Sequence, residues 1–91
     1  MIMSNQITVN KDLITESRMN GNNKIVYMYL KLLSDGGDLV PIPLQHIADE
    51  LFINVNTVKS SIKILREFGY IKVHKQLGNR GSILNAYEIV K

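Results

Sequence analysis

The feature that most constrains this chain lies in its second half. Two short amphipathic patterns meet across a three-residue break and then give way to a different period. Leu44, Ile47, Ala48 and Leu51 fall at i, i+3, i+4 and i+7, which predicts a helix of about two turns. Phe52-Ile53-Asn54 interrupts it, and Asn54 is a good N-cap because its short side chain can accept from the exposed N–H groups of a helix start. Over residues 55–68, Val55, Val58, Ile62 and Leu65 form one stripe, while Asn56, Lys59, Ser60, Lys63 and Glu67 form the opposite one. Gly69 is expected to stop this third helix. The period then becomes two, with Ile71 and Val73 facing one way and Lys72 and His74 the other. A turn-rich segment, 77–82, contains Gly78 and Gly81 and leads to a second strand over 84–90. This pair reads as a β-hairpin with Arg80 at its tip.

Upstream, Asn20-Gly21-Asn22-Asn23 is a turn cluster, and Asn22 is the expected cap of a helix over 24–33. Ile25, Met28, Tyr29, Leu32 and Leu33 are its expected inward stripe, Val26 and Leu30 a second apolar flank, and Lys24, Tyr27 and Lys31 its polar sector. A helix this apolar is central and buried on most sides. Gly36 or Gly37 is expected to end it with positive φ. Leu39-Val40-Pro41-Ile42-Pro43 can be only an edge strand, because proline has no N–H for a ladder. Residues 1–18 form a lead-in in which Ile7 and Val9 allow a short strand and residues 12–16 a helical turn. Its four aliphatic residues (Ile7, Val9, Leu13 and Ile14) predict that it packs on the domain.

Ninety-one residues make one domain, 1–91, and the 45% hydrophobic content is that of a folded chain. With no cysteine there is no disulfide scaffold and no thiolate metal site, and His46 and His74 alone suggest no metal. No apolar run approaches the about 18 residues of a membrane span, and no signal peptide is evident, so a cytoplasmic protein is expected. No nucleophile–base–orienter set and no glycine-rich phosphate loop is present. Asp35-Gly36-Gly37-Asp38 lacks the ligand spacing of a calcium loop. An enzyme, a cofactor and a small-molecule ligand are therefore not expected. Charge is distributed unevenly. Residues 1–53 hold four basic and six acidic groups (−2), whereas 54–91 hold seven basic and two acidic (+5). A basic half suits a polyanion.

Two helices joined by a tight turn are a helix-turn-helix candidate, and a hairpin directly behind them would be a wing. The polar stripe of the third helix has the groups a major-groove reader needs. Asn56 can pair with adenine, Lys59 and Lys63 can donate to guanine or phosphate, and Ser60 offers a hydroxyl. Thr57, Lys75, Asn79 and Arg80 are candidate backbone or wing contacts, Lys72 a weaker one, and Asn54 aims the helix N-terminus at a phosphate. Glu67, one turn on, could pair with Lys63.

The stretch 42–71 resembles the helix-turn-helix core of winged-helix DNA-binding proteins. The matching features are Ala48, Leu51, Asn54, Thr57-Val58 and the exit pattern Leu65-x-x-x-Gly69-x-Ile71. Pro43 departs from it, standing where that family often has a capping Ser or Thr, with Gln45 the nearest substitute for a phosphate contact. The lead-in and the core Val26-Tyr27-Met28-Tyr29-Leu30 are similar to the N-terminal domain of replication initiators from plasmids and phages of Gram-positive bacteria. No further domain follows the wing, so complete initiator activity is not expected.

The resulting expectation is an α+β winged helix-turn-helix. Residues 1–18 are its lead-in, 44–69 its helix-turn-helix and 70–90 its wing. It would bind double-stranded DNA and control transcription or replication initiation on a mobile element. A homodimer through the apolar flank Val26 and Leu30 would serve two half-sites. The alternatives are a winged-helix protein-interaction module using an exposed Ile64 and the central helix, and a binder of double-stranded RNA.

Overall fold

A computed structural model describes residues 11–35, 37–77, 81 and 83–91. In chain order the elements are α1 (Lys11–Ile14), α2 (Gly21–Ser34), β1 (Val40–Pro41), α3 (Leu44–Leu51), α4 (Val55–Glu67), β2 (Ile71–Leu77) and β3 (Ile83–Ile89). The three strands form an antiparallel sheet in the order β1-β3-β2. Pro41 thus sits on an edge strand, where its missing N–H breaks no ladder. Helices α2, α3 and α4 with β2–β3 projecting behind them make a winged helix-turn-helix of the α+β class. The anticipated strand at Ile7 and Val9 lies outside the described residues. Leu13 of α1 is buried, while Ile14 faces solvent.

Helix α2 begins at Gly21, three residues before the start its apolar pattern implies, and its cap is Asn20 rather than Asn22. The Asn20 side chain accepts from the Asn23 N–H at 2.9 Å, and the Asn20 N–H donates to the Asn23 side chain at 3.1 Å. This reciprocal pair satisfies two donors that the helix start would otherwise leave open. At the other end the left-handed residue is Asp35 (φ 44°, ψ 60°) instead of a glycine; Gly37 follows at φ 115°. Asp tolerates this region better than most side chains.

The inward face of α2 is also rotated from the expected stripe. Val26, Tyr27 and Leu30 are wholly buried, whereas Ile25 and Leu33 remain 44% and 41% exposed. Tyr27, anticipated as polar surface, is core. Its ring meets Tyr70 edge-on at 5.5 Å between centroids, and its hydroxyl donates to the backbone oxygen of Lys91. A tyrosine can be buried when its hydroxyl finds such an acceptor. The dimer surface expected at Val26 and Leu30 is therefore corrected: both side chains are spent inside the protomer.

The core joins these α2 residues to Ile47 and Ala48 of α3, Val58, Ile62 and Leu65 of α4, and Ile71 and Tyr87 of the sheet. Ile64, expected to be exposed, is half-buried against this cluster. The wing strands pair from Ile71↔Ile89 at the base to Leu77↔Ile83 at the far end.

Candidate nucleic-acid interface

Helix α4 is anchored at both ends and along its buried side. The Asn54 side chain accepts from the Asn56 N–H at 2.7 Å, as a capping residue should. Its C-terminal turn leads into Gly69 at φ 77°. In the seam with α2, buried Ser61 accepts a hydrogen bond from the Asn23 side-chain amide at 2.8 Å. Asn23 thus closes the α2 cap and grips α4 at once. Arg18, ahead of α2, bonds both carboxylate oxygens of Glu16 (2.8 and 2.7 Å) and lies 4.2 Å over the Phe68 ring. Those Arg18 hydrogen bonds hold the Glu16 carboxyl at about 2.

With Val58, Ser61, Ile62 and Leu65 turned inward, Asn56, Lys59, Ser60 and Lys63 are left exposed on the opposite side of α4. Among the described residues neither Lys59 nor Lys63 has a hydrogen-bonding or ion-pair partner. The Ser60 hydroxyl donates back to the Asn56 carbonyl at 2.8 Å. In this rotamer the oxygen lone pairs are left to accept from a ligand. Thr57 is half-buried in the first turn. Arg66 is exposed one turn beyond Lys63 and extends the series Lys59, Lys63, Arg66 at i, i+4 and i+7. Sequence reasoning passed over Arg66, although that spacing carries the signal. Gln45 donates to Asp49 within α3 at 2.8 Å, and no side chain caps α3 at Pro43.

On the hairpin, Lys72 and His74 occupy one face, and His74 Nε2 lies 2.8 Å from the Glu88 carboxylate. Lys75 belongs to the other face by the period of two. Its ammonium donates to the Asn85 side-chain oxygen at 2.8 Å, directly across the ladder. Lys75, Asn85 and Tyr87 line a groove of about 500 Å³ whose other wall is the start of α3. Among the described residues the buried Tyr87 hydroxyl has no hydrogen-bond partner. Burial pushes its pKa up, and the neighbouring Asn85 side chain offsets part of that rise. The structure thus brings Asn56, Lys59, Ser60 and Lys63 onto one helix face and sets Lys75 beside α3. Asn79 and Arg80 lie outside the described residues.

Among the described residues no cluster of three His, Asp or Glu side chains is placed to hold a metal, and no helix is long and apolar enough to cross a membrane.

The sequence pattern of the helix-turn-helix domain family matches residues 17–71 of this chain, from the approach to α2 to the first residue of β2. Among solved structures, a protein described as a possible transcriptional regulator from Methanosarcina mazei Go1 superposes with a TM-score of 0.67. The match covers 97% of this chain and 77% of that one at 20% identity, a likeness of fold. No curated protein matches the chain.

Proposed function

Because the chain belongs to the helix-turn-helix domain family, we propose that it binds duplex DNA sequence-specifically, with α4 in the major groove. The observation that carries this reading is the exposed face of α4. It presents an amide and two ammonium groups at one-turn spacing on a helix held from behind by Asn23 and the core. Asn56 reads a base edge, Lys59 and Lys63 contact bases or phosphates, and Ser60 accepts from a base amino group. Asn54 and Thr57 approach the backbone at the helix start. Lys75, Asn79 and Arg80 supply wing contacts, with Arg80 directed to the minor groove.

The regulated process is transcription or replication initiation on a plasmid, phage or other mobile element. The similarity of the lead-in to replication initiators supports the second. One small domain makes few phosphate contacts, so two copies on adjacent half-sites give useful affinity. Selection of bound duplexes from a random pool, followed by anisotropy titration, tests the reading. Asn56→Ala is expected to cost about 1–3 kcal/mol at one base position and relax specificity there. Lys63→Ala is expected to weaken binding to every sequence and reduce the salt slope by about one. Unchanged binding by both variants would remove α4 from the interface.

A further inference from the structure

The apolar stripe that the sequence pattern favours for the inside of α2 is left on its outside. Ile25, Met28, Tyr29 and Leu32 fall at i, i+3, i+4 and i+7, on the side opposite the buried Asn23, Val26, Tyr27 and Leu30. Ile25 is exposed and the other three are half-buried, with exposed Leu33 at their border. The Lys24 ammonium donates to the Ile14 carbonyl at 2.7 Å, which brings α1, with its 60%-exposed Ile14, to the margin of this face. Contiguous apolar surface on a small domain marks a contact site. Lys24 and Asp35, about three turns apart, stand on one margin of the stripe. Asp35 is exposed, and among the described residues its carboxylate has no hydrogen-bond or ion-pair partner. Lys31, between them, is turned off that margin, its ammonium 5.8 Å from the centroid of the buried Tyr27 ring.

We propose that this face pairs with the same face of a second copy, α2 antiparallel to α2 about a two-fold axis between Met28 and Tyr29, and that the pair holds two duplexes at once. A second copy is the occupant because the face complements itself. The axis sets Ile25 on Leu32 of the other copy and Met28 on its Tyr29, a sulfur–aromatic contact. It also sets Lys24 near Asp35 of the other copy, twice, whereas a parallel pair sets like charges together. A specific dimer buries about 800 Å² on each partner. One helix of 14 residues, about 21 Å long, supplies only part of that, so the pairing of free copies is weak and reversible. The bridging of duplexes rests on the DNA-binding reading above. Asn23 and Ser61 bond between the inner sides of α2 and α4, so the outer sides of these two helices look away from each other. Two copies joined through α2 therefore turn their α4 faces in opposite directions, and each takes its own duplex. This contact is distinct from two copies side by side on adjacent half-sites.

The chain has no cysteine, so introduced thiols are the only ones present. Ile25→Cys, Leu32→Cys and Phe52→Cys proteins are treated with a short bismaleimide, singly and as a mixture of the first two. The mixture is expected to give covalent dimer about ten-fold faster than Phe52→Cys, whose thiol is more exposed but lies off the face, and faster than either α2 variant alone. Lys24→Glu in both members of the mixture is expected to slow the reaction, and Lys24→Glu/Asp35→Lys to restore it. In a second arm, beads carrying a mixed-sequence duplex and loaded with wild type are expected to capture a second, labelled duplex. Ile25→Glu is expected to bind a single duplex as wild type does in an anisotropy titration, and to lose the capture about ten-fold or more. Thermal denaturation checks that each variant is folded. Cross-linking of the mixture no faster than that of Phe52→Cys overturns the inference, as does covalent pairing without capture of the second duplex. Protection of the Ile25→Cys and Leu32→Cys thiols from a monofunctional maleimide would mean that the chain's own residues 1–10 cover the face, and overturns it too. If wild type binds one duplex but captures no second, the bridging fails and the α4 reading stands. If wild type binds no duplex at all, the α4 reading falls with the bridging, and the cross-linking alone decides the pairing.

Discussion

Phe52 occupies the turn between α3 and α4 at φ 57°, ψ 42°, with 94% of its surface in solvent. A left-handed conformation costs an L-residue roughly 1–2 kcal/mol, and an exposed ring recovers nothing from packing. Glycine meets the same geometry without its Cβ clash, though it gives back up to about 1 kcal/mol in backbone entropy. Phe52→Gly is therefore expected to stabilise the fold by about 1 kcal/mol or less, read as a higher denaturant midpoint with an unchanged slope. Asn23 has the opposite character. Its side chain completes the α2 cap and donates to buried Ser61. Asn23→Ala is expected to cost roughly 1–3 kcal/mol, and Ser61→Ala less, because the second removes a buried acceptor while leaving the cap intact. Denaturant titrations of the two variants test that order. Asn23 was legible as part of a turn cluster, but its partner stands 38 residues away, and no local pattern signals such a bond.

Among the elements, α4 was the most legible, because a helix's two faces are written at three- and four-residue steps and Asn54 marks its start. What holds it in place was less so. The Arg18–Glu16 pair and the stacking of Arg18 on Phe68 join the segment before α2 to the end of α4. Arg18 lowers the Glu16 pKa from 4.5 to about 2. A carboxyl whose folded pKa lies below its unfolded one stabilises the fold above the unfolded value, and that contribution fades as pH falls toward the folded one. The stability gap between wild type and Glu16→Gln is thus expected to be full above pH 4.5 and to close between 4.5 and about 2. Denaturant melts across that range check the sign. A gap that widened on acidification would contradict it. The wing shows the same division. Its period of two was plain, but the pairing of Lys75 with Asn85 depends on the ladder register, which a turn segment of this length does not specify.

At the scale of the whole molecule, the central helix decides how much surface is left for partners. Leu30 has no solvent exposure, so Leu30→Ala is expected to destabilise the fold by about 2–5 kcal/mol and to leave the mass of the species in solution unchanged, as sedimentation would show. A change of oligomeric state without loss of stability would return Leu30 to the surface. By itself the sequence determined the element order, the break at 52–54, the edge character of the strand at Pro41 and the polar face of α4. Each of these follows from covalent geometry: the pitch of a helix, the pleat of a strand, the missing N–H of proline. Only the tertiary structure decided which side of α2 turns inward, that Tyr27 is core and that Ser61 is gripped by Asn23. Those outcomes depend on which distant groups meet, and an almost uniformly apolar helix carries no periodic signal strong enough to choose between its faces.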